Sequence, residues 1–205
     1  MKLLRIIYNK FLPALFWIAL LLAFDSPYIA VLTLLCAAWH ELGHMLTATL
    51  VLKRDISMPK AVLYGLKIDT GGIISYKEEL FIALGGPLAN ILAFLALLPV
   101  FRQNEYVIVF AMINLLTAIS NLLPLRSYDG QRAISSLLCM IGTPYLADRV
   151  IHAICLTLSA AGCFLSLFLI GYIGDGYWIF GVFFVSLLGE ILSHRKKNEA
   201  NKKRE

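Results

Sequence analysis

Long apolar runs separated by short polar turns dominate the chain. The runs fall at about 11–24, 28–52, 80–101, 106–125, 149–171 and 177–193, near the ~20 residues a helix needs to cross a hydrocarbon core. They predict an all-α polytopic membrane protein of about six transmembrane helices. Between the second and third runs the pattern changes. Val62, Tyr64, Ile68, Ile73, Ile74 and Tyr76 are β-prone and surround Gly71-Gly72, which predicts a small β-hairpin over 61–76. Ile134 to Ile141 predicts a short helix at the membrane surface, closed by Gly142 and Pro144. Residues 194–205, rich in Lys, Asn and Glu, read as a basic, solvated and disordered tail, which leaves 1–193 as one domain. Lys2, Arg5 and Lys10 precede the first run as they would in a secretory leader. No small-x-small cleavage site follows, so that run reads as a retained span.

Composition agrees with lipid as the solvent. Of 205 residues, 60% are hydrophobic, and the mean hydropathy of +0.78 exceeds what a water-soluble domain carries. The turns at 25–27, 102–105 and 171–176 lie on one side of the membrane. The N-terminus, 53–79, 126–148 and the tail lie on the other. Of the 18 Lys and Arg residues, 16 fall in those second-side segments, Arg149 opens the run that adjoins one of them, and Arg102 alone lies on the first side, which makes both termini cytoplasmic. Contact with anionic inner-leaflet lipid accounts for the net charge of +5, so no nucleic-acid partner is implied. The four cysteines, Cys36, Cys139, Cys155 and Cys163, contain no Cys-x-x-Cys pair and read as buried thiols. Cys36, four residues before His40, shares its helical face.

The second run contains His40-Glu41-Leu42-Gly43-His44. Two histidines four apart on a helix are separated by ~6 Å of rise on one face, so both imidazoles can reach a single ion. Glu41 is placed to hold the attacking water, the general-base position of a His-Glu-x-x-His zinc site. Three ionisable residues within five positions of a membrane helix oppose insertion unless they are partnered. Metal coordination supplies the partner. A catalytic zinc needs a third protein ligand, and the nearly acid-free spans leave Asp129 and Glu190 as candidates. Asp129 is the better placed, because Pro124 breaks the end of the fourth run and can turn the chain back. His44 is ~12 Å of helical rise from the cytoplasmic end of its span at Leu52. His152 and His194 read as structural histidines.

These residues resemble the site-2 protease family of intramembrane metalloproteases. The likeness rests on His40-Glu41-Leu42-Gly43-His44, on Gly85-Gly86-Pro87-Leu88-Ala89-Asn90, and on Asn121-Leu122-Leu123-Pro124 with Asp129-Gly130. The resemblance implies that His40, His44 and Asp129 are ligands to one Zn2+ per chain and that Glu41 is the catalytic base. It also implies that Asn121, and with it Asn90, binds substrate or stabilises charge near the metal. Family members often read Pro-Leu-Asp-Gly-Gly where this chain has Ser127-Tyr128-Asp129-Gly130-Gln131. The layout is most similar to the compact six-span bacterial branch that includes a protease processing a sporulation sigma factor. By that likeness the expectation is a multi-pass protein of a bacterial cell membrane, with membrane-protein substrates and membrane regulatory partners. The 61–76 segment is then either a connecting ribbon or an edge that holds substrate extended. Two rival readings are a non-proteolytic protein with a structural or regulatory metal site and a metal transporter. A transporter would spread polar residues along a pathway, whereas here they concentrate at one place.

Overall fold

A computed structural model of the chain describes residues 27–53, 60–62, 65–67, 73–174 and 177–202. The chain divides into two compact units, Met1–Asn121 and Leu122–Glu205. Among the described residues, four helices are long and apolar enough to cross a membrane: Pro27–Leu52, Tyr76–Val100, Glu105–Leu122 and Pro144–Ile173. A further apolar stretch, Ile179–Ser193, is shorter. The run expected at 11–24 lies outside the described residues.

In the first unit, helix α1 (Pro27–Leu52) opens on a proline, where the missing N–H costs nothing. It closes at Lys53, whose φ of 49° turns the chain into the left-handed region. Its inward stripe is small and polar: Ala30, Cys36, His40, Gly43, His44 and Ala48 are buried. Leu35, Leu42, Leu46 and Leu50 point outward. That arrangement, small residues inside and leucine outside, is what lipid favours.

Strands β1 (Lys60–Val62) and β2 (Gly65–Lys67) pair antiparallel, with Val62 opposite Gly65. The chain therefore reverses before Gly71-Gly72, which lie outside the described residues. Ile73 and Ile74, expected in a strand, are irregular, and Tyr76 is the first residue of helix α2 (Tyr76–Leu97). The physical reason is a capping box: Ser75 Oγ accepts from Glu78 N at 3.3 Å, and Glu78 Oε2 accepts from Ser75 N at 2.7 Å. Two orphan donors of the first turn are thereby satisfied. A 3-10 segment, Leu98–Gln103, extends α2, and helix α3 (Glu105–Leu122) follows. It stops short of the expected 125 because Pro124 bars a helical conformation in the residue before it.

In the second unit, helix α4 (Asp129–Ile141) begins five residues before the expected surface helix and buries Asp129, Gly130, Ala133 and Ser136. Helix α5 (Pro144–Ile173) starts on Thr143, whose hydroxyl accepts from Leu146 N at 3.3 Å, and ends on the left-handed Gly174. Helix α6 (Tyr177–Lys202) packs on α5, where Gly162 leaves room for the Phe183 ring. Ser159 and Ser186 join the two helices through their hydroxyls at 2.8 Å. The segment after Ser193, expected to be disordered, continues α6 as helix to Lys202. Lys, Glu and Ala are good helix formers, and no Gly or Pro interrupts them there.

Candidate metal centre

α1 and α2 approach closely enough for their backbones to touch. A Cβ on Gly43 would lie 2.5 Å from the Gly85 carbonyl oxygen and 2.6 Å from Ala89 Cβ. Trp39 Nε1 donates to the Ala89 carbonyl at 2.8 Å, and Thr47 Oγ1 caps the Gly43 carbonyl at 2.9 Å. This small-residue seam places α2 directly over the two histidines. A Cβ on Gly86 would meet His44 Nε2 and stand 2.6 Å from His40 Nε2. Glycine at 86 is thus what leaves the imidazoles room.

His40 and His44 are 6% and 5% exposed, and their Nε2 atoms are 3.2 Å apart. Two nitrogens bound to one zinc at usual bond lengths and a tetrahedral angle stand about 3.3 Å apart, so the spacing fits an ion. His44 Nδ1 lies 2.7 Å from the Ile82 carbonyl and 3.2 Å from Gly86 N. It cannot donate to one and accept from the other at once. The shorter contact assigns the proton to Nδ1, which leaves the Nε2 lone pair for a metal. His40 Nδ1 faces Asn90 Nδ2 at 3.2 Å. Asn90 is fully buried on α2, one turn beyond Gly86 and on the same face. Glu41, next to His40 on α1, is half-buried. Asn121 ends the first unit, with its Nδ2 donating to the Thr117 carbonyl of its own helix at 3.0 Å.

The second unit carries Asp129, which is 6% exposed. The loop before it is tightly made. Leu125 N donates to Leu123 O at 2.8 Å, Tyr128 N to Leu125 O at 3.1 Å, and Ser127 adopts φ 69°. Gln131 Oε1 accepts from Ser127 N at 2.9 Å and holds that strained residue. Gly130 is required because a Cβ there would lie 2.6 Å from the Leu123 carbonyl oxygen. Arg132 Nη1 stands 3.3 Å from Asp129 Oδ1. Burial pushes the Tyr128 phenol above its ordinary value, which adds no charge beside the carboxylate.

Glu190, the other acid considered as a ligand, is committed elsewhere. Its Oε2 takes Arg126 Nη1 at 2.9 Å and its Oε1 takes His152 Nδ1 at 2.5 Å. His152, expected to be structural, thus pairs with Glu190, while the His194 side chain lies outside the described residues. The four cysteines are free thiols. Sequence reasoning missed the Ile82 carbonyl, and it named Gly86 and Gln131 only within motifs, without the uses that the glycine-sized space at 86 and the Ser127 contact at 131 give them. The one-turn spacing from Gly86 to Asn90 on an apolar helix was the available signal for the α2 face.

The fold is similar to that of a solved structure described as a site-2 protease from Methanocaldococcus jannaschii, with a TM-score of 0.57 and 21% identity. The match covers 88% of this chain and 85% of that one. The likeness is one of fold. Neither a protein-family model nor a curated protein matches it. The apolar helices and this fold make it a multi-pass membrane protein.

Proposed function

We propose that the chain is an intramembrane zinc metalloprotease that hydrolyses peptide bonds of membrane-embedded or membrane-tethered proteins near the cytoplasmic face. The observation that carries this is the buried imidazole pair of α1, with Nε2 atoms 3.2 Å apart, in a chain whose fold is similar to that of a site-2 protease. In this reading residues 1–193 act as one protease domain with both termini cytoplasmic. His40, His44 and Asp129 hold one zinc ion, and Glu41 is the base. Regulated cleavage of a signalling or transcription-factor precursor in a bacterial cell membrane is the matching role.

Zinc would supply Lewis acidity, making water a better acid and the scissile carbonyl a better electrophile. The rest falls to the protein. Glu41 takes the proton of the attacking water and returns it to the leaving amine. The Asn121 amide, released from the Thr117 carbonyl, donates to the developing oxyanion. A helical substrate hides its carbonyls in hydrogen bonds, so it must unwind locally before attack.

Co-expression of wild type and Glu41→Gln, followed by mass spectrometry of membrane-protein N-terminal fragments, tests the reading. New fragments with wild type alone, at equal zinc content, support it. Identical fragment sets from both overturn it in favour of a structural metal site.

A further inference from the structure

We infer that Asn90 is a positioning residue for His40, its amide oxygen fixing which ring nitrogen faces the metal; this rests on the protease reading above. Asn90 is fully buried, and its amide lies 3.2 Å from His40 Nδ1. Its Oδ1 has no hydrogen-bond partner, so nothing at that end holds the amide in one of its two orientations. With the NH2 end facing the ring, Nδ1 is an acceptor, which puts the His40 proton on Nε2, the atom that meets His44. A neutral imidazole cannot ligate through a protonated nitrogen.

A half-turn of the amide resolves this. The oxygen then accepts from Nδ1–H, and the Nε2 lone pair turns to the metal. The two ends of an amide are nearly the same shape, so the half-turn needs no repacking. Oδ1 has no partner to lose. The contact that changes is Nδ2 to Cys36 Sγ, a weak one at 3.7 Å. After the turn the thiol can donate to the oxygen, where it now reaches Thr117 Oγ1 at 3.3 Å. Asn90, Cys36 and Thr117 thus form one polar chain behind His40, drawn from α2, α1 and α3. His44 needs no such device, because the Ile82 carbonyl at 2.7 Å already sets its tautomer. Asn90 therefore serves the metal ligand from behind and is not a substrate contact.

The test is metal affinity of the full-length protein in detergent, by chelator competition with Zn2+ alone, and the visible d–d spectrum of the Co2+-substituted protein. Asn90→Leu keeps the volume and loses the acceptor, whereas Asn90→Asp keeps an acceptor in nearly the same shape. The expected result is a 10–100-fold loss of zinc affinity in Asn90→Leu with an altered Co2+ spectrum, and affinity within a few-fold of wild type in Asn90→Asp. Wild-type affinity in Asn90→Leu, or an equal loss in both variants, overturns the inference while leaving the protease reading standing. Absence of zinc uptake by wild type overturns that reading and this inference together.

Discussion

Arg126 and Glu190 are joined at 2.9 Å between Nη1 and Oε2, so the single acid of the apolar stretch 179–193 is paired with the loop that leads to Asp129. His152 closes the carboxylate's other oxygen, and Arg126 N donates to Ser186 Oγ at 3.1 Å. Gly189 gives the Arg126 side chain its passage, since a Cβ there would fall 2.8 Å from Cδ. A buried acid in such a helix is costly unless paired, and here it fastens a loop to α6.

Glu190→Ala leaves Arg126 and His152 without their partner, with an expected loss of about 1–3 kcal/mol of stability. Thermal unfolding in detergent checks it. Zinc content of the folded fraction is expected to stay at the wild-type level, because both Glu190 oxygens are engaged by Arg126 and His152.

Gly86→Ala places a methyl group against both imidazoles. The imidazoles cannot then keep their spacing, and zinc affinity is expected to fall at least ~10-fold. Gly181→Ala, with nothing within 4 Å of its added Cβ, is the control and leaves zinc binding unchanged. Chelator competition measures both.

Gln131→Ala removes the acceptor that holds Ser127 N at 2.9 Å. The expected cost is about 1 kcal/mol, together with lower proteolysis because the Asp129 loop loosens. Gln131→Glu keeps an acceptor and restores most of both. Unfolding curves and a cleavage assay on purified protein separate the two effects.

Much of the architecture was legible because lipid imposes a simple rule. Apolar runs of span length become helices, and the runs at 28–52 and 106–125 match Pro27–Leu52 and Glu105–Leu122 closely. The His40 and His44 pairing followed from helical rise alone. Less visible were features set by partners distant in sequence: the Ile82 carbonyl on His44, the Gly86 gap, and the tie from Arg126 to Glu190. The start of α2 at Tyr76 was legible in Ser75-Tyr76-Lys77-Glu78 as a capping box, yet β-branched neighbours outweighed it. The substitution of Gln131 within the Asp129 motif, which read only as a departure, has a definite use in closing the loop over Ser127.

Metal analysis of purified wild type, His44→Ala and Asp129→Ala in detergent tests the central claim most directly. One zinc per chain in wild type, with at least a ~10-fold loss of affinity in each variant at unchanged helical content, is the predicted result. Full zinc retention by Asp129→Ala, or none in wild type, would contradict a metal held jointly by the imidazole pair and that carboxylate.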